Sequence, residues 1–278
     1  RPGGTPMRLP FTVDQFLDVF RHYNRAVWPA QWALAALAAA AVVLALRDRP
    51  RDARCVSGIL ALLWLWVAFA YHVAFFAGVN RAAVAFAGAF AVEGFMFAWL
   101  ARRDASPSYR PRSSVAKLTG AIVIAYALVG YPALGDVLGH RYPAAPTFGV
   151  PCPTTIFTLG LLVWASGSVP RRLLVVPFAW AVVGTSAAVQ LGMTEDFGLP
   201  IAAVVALVAA LLTRERHRRP NATSPRRRVE QEGPSTASPH VGRRPTAHQA
   251  MHDWLRRGGR PIVRMPREGE SNARHPIG

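Results

Sequence analysis

Residues 55–77 read CVSGILALLWLWVAFAYHVAFFA, a continuous run without a charged side chain. An α-helix rises about 1.5 Å per residue and the hydrocarbon core of a bilayer is about 30 Å thick, so about 20 apolar residues cross it. The apolar character is continuous rather than alternating, which excludes the strands of a membrane β-barrel. This stretch therefore predicts a transmembrane helix.

Further apolar stretches of similar length predict an all-α, polytopic transmembrane helix bundle of about seven spans within residues 28–213. The stretches are 28–46, 55–77, 82–100, 118–138, 154–169, 173–191 and 197–212. They contain two carboxylates, Glu93 and Asp136, and no Lys or Arg. The fifth and seventh stretches are the shortest, and they need flanking residues or a thin bilayer to cross completely.

The basic residues divide unequally between the two ends of the predicted bundle. Arg and Lys are frequent after the first, third, fifth and seventh stretches and rare after the others. Because cytoplasmic loops are enriched in these residues, we predict a bacterial inner (plasma) membrane protein with its N-terminus outside and its C-terminus in the cytoplasm. The lipid bilayer is then its first partner. The net charge of +17 follows this topology, and we expect no nucleic-acid partner.

Two segments flank the predicted membrane domain. Residues 1–27 comprise an extension and an amphipathic helix at 11–27, in which Thr12 and Gln15 are spaced as a capping box. This interfacial helix either anchors the first span or covers an outward-facing cavity. Residues 214–278 are rich in Arg and Pro without apolar periodicity, which predicts a disordered cytoplasmic tail. The tail either contacts anionic lipid headgroups or is only solvated.

Two polar side chains lie within the predicted hydrocarbon region. Glu93 is about halfway along the third stretch, where an ionised carboxylate costs about 2.5 kcal/mol or more. It should therefore face protein, water or a partner. His72 is in the outer third of the second stretch, and because the two helices are antiparallel we expect no direct contact between the two side chains.

An outer polar cluster is predicted where the second and fourth stretches end. Its members are His72, Tyr131, Asp136, His140 and Arg141. Such a cluster suits proton or ion movement, or the capture of a small polar ligand. Interhelical hydrogen bonds and an Arg141–Asp136 ion pair, which are ordinary packing devices in membrane bundles, explain the same residues.

Residues 140–160 read HRYPAAPTFGVPCPTTIFTLG, the least generic part of the chain. The prolines predict no regular helix before Thr154, and irregular backbone at this level must pack on protein or line a polar cavity. Cys152, Thr154 and Thr155 therefore join the candidate site. Cys152 is either a reactive thiol or a packed one. The nearby histidines are too few to predict a metal, and no cofactor is indicated.

Three segments together carry a resemblance to a known family. They are residues 140–160, LPFTVDQF at 9–16 and LLWLWVAFAYH at 62–72. They resemble a bacterial family of multi-spanning integral membrane proteins with no assigned function. The resemblance covers about residues 7–212, and it implies the fold unit without implying a reaction, a substrate or a cofactor.

The sequence thus predicts an integral membrane protein, and three functional hypotheses remain. The first is a small carrier, channel or ligand-sensing bundle that uses the outer polar cluster, with Glu93 as its deep polar group. The second is a membrane-embedded enzyme or accessory subunit acting on lipid, thiol or metal through His140, Cys152 and Asp136. The third is a structural partner of a membrane complex, or a homo-oligomer. No recognised catalytic motif is present, which favours a role other than an enzyme.

Overall fold

The computed structural model describes residues 10–103, 107–166 and 170–218, with side chains up to Leu212. Within these ranges the chain is helical, with two isolated bridges and no extended strand. The α-helices are α1 (Val13–Ala26), α2 (Ala30–Arg47), α3 (Asp52–Trp66), α4 (Ala83–Ala101), α5 (Ser114–Ala125), α6 (Tyr131–Val137), α7 (Pro151–Trp164), α8 (Val175–Leu191) and α9 (Gly198–Arg218). The predicted N-terminal extension before Pro10 and the predicted basic tail after Arg218 lie outside the described residues.

Six helical segments of the described chain are long and apolar enough to cross a membrane. They are Ala30–Arg47, Asp52–Gly78, Ala83–Ala101, Ser114–Val137, Arg171–Leu191 and Thr194–Leu212. They correspond to six of the seven predicted stretches. The fifth stretch instead forms α7, whose 14 residues extend only about 21 Å.

Helix α7 begins at Pro151, three residues before the start that its prolines predict. Pro151 and Pro153 both lie in its first turn, where a backbone N–H has no partner within the helix. A proline there breaks no hydrogen bond, and its fixed φ angle already suits a helix. The prolines therefore start this helix rather than delay it.

The short helix α7 is the central element of the bundle. It packs against α3, α5, α8 and α9, and every residue from Pro153 to Trp164 is buried. Gly160 allows α5 to approach closely, because a Cβ atom there would lie 2.7 Å from the side chain of Ile124. The surrounding helices carry exposed apolar side chains such as Leu62, Ile122 and Val182 on their outer faces. Other helices thus enclose α7 almost completely.

Two helices contain a wider π-helical turn. One turn is Val67–Val73, which continues α3 and carries Tyr71 and His72. The other is Tyr126–Gly130, between α5 and α6. Pro132 follows it after one residue and has no N–H to donate to the carbonyl one turn earlier. Both turns lie beside side chains that form the site described below.

Helix α1 begins at the predicted capping box. The backbone N–H of Gln15 donates to Thr12 Oγ1 at 3.2 Å, and Gln15 Oε1 accepts from the Thr12 N–H at 2.9 Å. This confirms the predicted cap. The buried face of α1 carries Val19, Phe20, Tyr23 and Asn24.

Side chains of α1 bind it to the loop formed by residues 140–150. Asn24 Nδ2 donates to the carbonyls of Pro143 at 2.8 Å and Ala145 at 2.7 Å, and Thr147 Oγ1 donates to Asn24 Oδ1 at 2.7 Å. Nearby, Tyr23 is completely buried, and this burial raises its pKa to about 12. We call the part of the bundle that carries α1 and this loop the α1 end.

Candidate functional site

A cavity lies beneath α1 at the α1 end of the bundle. Its empty volume is about 700 Å³, a figure that includes open solvent at its mouth. Aromatic side chains from four parts of the chain form a large part of its wall: Phe11, Phe16, Phe20, Tyr71, Phe76, Phe86 and Trp180.

The apolar stripe of α1 forms the roof of this cavity. Phe16 and Phe20 are one helical turn apart, and their rings meet edge to face at 4.8 Å. Phe16 also meets the ring of Phe76 at 6.0 Å, and Phe20 stacks on Tyr71 at 5.9 Å. Edge-to-face and stacked pairs at such distances are favourable. Among the predicted roles of α1, these contacts support a cover over a cavity.

A polar cluster forms the floor of the cavity. The hydroxyl of Tyr131 donates to Asp196 Oδ1 at 2.5 Å, and the thiol of Cys152 lies close enough to this carboxylate to interact with it. Asp196 is only 5% exposed. The indole N–H of Trp180 is buried near Cys152 and makes no hydrogen bond of normal geometry within the described residues. The floor therefore combines one carboxylate with neutral donors.

A second carboxylate, Glu195, precedes Asp196 in a short 3-10 helix, Thr194–Phe197. His140 Nδ1 lies 2.8 Å from Glu195 Oε1, and Tyr126 donates its hydroxyl proton to the Glu195 carbonyl at 2.6 Å. Glu195 Oε2 has no hydrogen-bond partner among the described residues. These bonds fix the 3-10 helix against the π-helical turn Tyr126–Gly130 and the loop that follows α6, and so hold Asp196 at the cavity floor.

His72 lies behind the cavity wall rather than in its lining. It is completely buried, and neither ring nitrogen has a hydrogen-bond partner in the described residues. Aromatic rings surround it at centroid distances of 4.9–6.0 Å: Tyr71, Phe76, Phe86, Phe90 and Trp180. An imidazole in such surroundings acts as a packed ring that supports Trp180.

Glu93 lies further from α1, one turn beyond Phe90 on α4. It is fully buried, and neither carboxylate oxygen has a hydrogen-bond partner within the described residues. It interacts electrostatically with Tyr109, whose hydroxyl lies 3.0 Å from that of Ser57. Burial raises the pKa of Tyr109 to about 12, and the Ser57 hydrogen bond opposes that rise.

The threonines of α7 lie in the interior of the bundle. Thr155 Oγ1 donates to the Pro151 carbonyl at 2.8 Å, which satisfies it locally. Thr154 Oγ1 is buried and has no hydrogen-bond partner in the described part of the chain. Neither threonine lines the cavity.

The structure divides the outer polar cluster that the sequence predicts. Tyr131, His140 and Cys152 lie together around Glu195 and Asp196. Asp136 and Arg141 instead form a surface pair, with Arg141 Nε 3.8 Å from Asp136 Oδ1 and the side chains 79% and 68% exposed.

The two carboxylates at the centre of this site, Glu195 and Asp196, were not predicted from the sequence. One signal was available, because Glu195 and Asp196 stand side by side in a short connection that contains no basic residue. Across the described residues, no group of three or more His, Cys, Asp or Glu side chains is placed to hold a metal ion. The geometry of the floor suits hydrogen bonding and charge pairing with a ligand.

Comparisons with known proteins place the chain in a family. No curated protein and no solved structure matches it. A profile of a family of unknown function, DUF6064, matches residues 13–222. That match runs from the first residue of α1 to beyond the end of α9, and it includes every residue of the cavity lining except Phe11. The chain therefore belongs to the DUF6064 family.

Proposed function

We propose that this chain is a seven-span protein of the bacterial inner membrane whose cavity binds a small, largely apolar molecule from the outer side. It would act as a ligand-sensing or carrier bundle. One observation carries the proposal: an aromatic cavity is roofed by the amphipathic helix α1 and ends at the Tyr131, Cys152 and Asp196 side chains.

The distribution of apolar and basic residues supports this placement. The helices that enclose α7 expose apolar side chains over their lengths, as lipid-facing helices do. Trp28 and Trp32 follow α1 and are 58% and 69% exposed, which suits a belt at the membrane boundary. Because α7 is enclosed by other helices, its short length does not expose its ends to lipid, and it serves as the seventh span. The loops richer in Arg lie at the end opposite α1.

The inner end of the cavity favours binding over a continuous pore. Behind the wall, the ring of Trp180 contacts Phe90 at 5.1 Å, and Phe90 contacts Trp64 at 4.6 Å. The indole N–H of Trp64 donates to Thr158 Oγ1 at 3.0 Å. This stack closes the path between the cavity and Glu93. In a carrier, Glu93 would be the polar group reached only in a second conformation.

The alternative of thiol chemistry has less support. His140 bonds to Glu195 rather than to Cys152, and Asp136 lies on the surface. The Cys152 thiol instead serves as a reporter, because it lines the cavity.

The experiment measures modification of Cys152 by 2-(trimethylammonium)ethyl methanethiosulfonate, which does not cross membranes. In a Cys55→Ala background, we expect labelling of Cys152 in intact cells. In the reciprocal Cys152→Ala variant, Cys55 should react only after permeabilisation, because it lies at the opposite end of the bundle. Adding Phe16→Ala should speed labelling by removing part of the roof. Phe95→Ala, which removes an exposed phenylalanine outside the cavity, should leave the rate unchanged.

Two results would contradict the proposal. Labelling of Cys152 only after permeabilisation would show that the α1 end faces the cytoplasm. No labelling under either condition would show that the cavity is closed to solutes.

A further inference from the structure

We propose that the ligand of this cavity is a lipophilic organic cation, with an aromatic or branched alkyl body and a protonated or quaternary amine. The inference rests on the proposed binding function and adds the chemical class of the ligand. It is carried by the juxtaposition of a single lining carboxylate and a wall of aromatic rings.

The cavity lining of the described chain carries a negative charge and no positive one. Among the described residues that line it, Asp196 is the single carboxylate and none is Lys, Arg or His. The groups that act on Asp196 are Tyr131 and Cys152, which are neutral donors, and the Glu195–His140 pair. Within that pair, His140 already bonds to Glu195. A buried carboxylate is stable when a cation pairs with it, and the protein supplies none in direct contact.

The aromatic wall suits the other part of such a ligand. Ring faces attract organic cations within about 6 Å, and aromatic cages bind quaternary ammonium groups in this way. The wall also excludes water, and a lower dielectric strengthens the attraction between a ligand cation and Asp196. The edge-to-face contact of Phe86 and Trp180 at 5.4 Å fixes part of that wall.

Anionic and neutral ligands fit this cavity less well than a cation does. An anionic ligand would approach Asp196 and Glu195, two carboxylates of which only Glu195 is bonded to a histidine, His140. A neutral ligand would fill the aromatic part but leave Asp196 without a countercharge. The lining therefore discriminates by charge as well as by shape.

The test compares three probes that share a benzyl group. Benzyltrimethylammonium is the cation, neopentylbenzene is its neutral isostere and benzylsulfonate is an anion. Each is titrated against the Cys55→Ala chain in detergent, and protection of Cys152 from the uncharged reagent N-ethylmaleimide is measured. We expect the cation to protect at concentrations at least about tenfold lower than the isostere, and the anion not to protect.

Variants identify the groups responsible. Asp196→Asn should weaken protection by the cation about 10- to 100-fold, because it removes the charge that attracts the quaternary ammonium group, and leave protection by the isostere unchanged. Asp136→Asn removes an exposed carboxylate at the same end of the bundle. It should change neither protection by the cation nor protection by the isostere. Trp180→Leu, a second variant, should weaken protection by the cation more than protection by the isostere.

The outcomes separate the two proposals. Equal protection by the cation and the isostere in the unsubstituted cavity would overturn the charge class while leaving the cavity as a binding site. Stronger protection by the anion would also overturn it. Protection by none of the probes would overturn both this inference and the proposed function. If Asp196→Asn does not fold, the comparison of the three probes decides the question by itself.

Discussion

The hydrogen bonds of Asn24 should hold the roof of the cavity in place, and replacing Asn24 by Ala tests this. The side chain is completely buried and joins α1 to the carbonyls of Pro143 and Ala145 and to the hydroxyl of Thr147. Ala has no group that can replace these bonds. The substitution should therefore release the loop formed by residues 140–150 from α1.

The magnitude follows from the three bonds. Each neutral hydrogen bond contributes about 1 kcal/mol net. The loop partners are only partly buried, so water satisfies some of them once α1 is released. We expect a loss of about 2 kcal/mol, which raises the equilibrium constant for local opening roughly 30-fold. Thr147→Val removes one of the bonds and should cost about 1 kcal/mol.

Amide hydrogen exchange of the detergent-purified protein measures this opening. Protection of residues 141–150 should fall roughly 30-fold in Asn24→Ala and about fivefold in Thr147→Val. Asn80→Ala is the control, because Asn80 Oδ1 accepts a single exposed bond from the N–H of Ala82. It should leave exchange in this loop unchanged.

Two results would refute the reasoning. Unchanged exchange in the loop of Asn24→Ala would show that other contacts hold α1 in place. An equal loss of protection throughout α4, which Asn24 does not touch, would show a general loss of stability rather than release of the roof.

Three further predictions concern packing, burial and pH. Gly160→Ala should lower stability by about 1–3 kcal/mol, because its Cβ would lie 2.7 Å from the Ile124 side chain and 3.2 Å from the Ile124 backbone nitrogen. Gly88→Ala, with open space at its Cβ, should stabilise the same fold by up to about 1 kcal/mol, and thermal melting compares the two. Glu93→Leu should raise the melting temperature, since an unsatisfied buried polar group costs about 1–3 kcal/mol; a lower melting temperature would reveal a partner. Burial raises the pKa of Tyr109 from 10 to about 12, so its contribution to stability is complete below pH 10 and is lost as the pH rises to 12. Tyr109→Phe should flatten the fall of melting temperature over that interval, and an unchanged slope would contradict this.

Hydropathy was enough to locate most of the helices but not their depth in the bundle. The apolar stretches predicted six long helices and the position of α7, since each is a local property of the sequence. The central place of α7 could not be read in this way. Its buried face extends all round the helix, and a helix surrounded by lipid shows the same composition as one surrounded by other helices.

The polar site shows a second limit of sequence reasoning. Tyr131 and Asp136 were grouped because they are close in sequence, yet five residues place them about 140° apart around a helix. Tyr131 therefore points into the bundle and Asp136 to the surface. The actual partner of Tyr131 is Asp196, 65 residues away. A contact of that range depends on which helices become neighbours, and a single sequence does not state this.

The roof and the floor of the cavity are joined by one loop, and this constrains how the proposed ligand would enter. Residues 140–150 are bound to α1 by Asn24 and continue directly into α7 at Pro151, one residue before Cys152. A movement of α1 that admits a ligand must either break the Asn24 bonds or pull on the start of the central helix. Breaking them costs about 2 kcal/mol in addition to the ring contacts of Phe16 and Phe20, and this route admits a ligand without moving α7. A sensor needs the other route, since only a displaced α7 transmits occupancy to the far end of the bundle.

If Asn24→Ala speeds entry to Cys152 but uncouples ligand binding from exchange in the last turn of α7, the loop is the transmitting element. If coupling persists without these bonds, the signal travels through the aromatic wall and Trp180 instead.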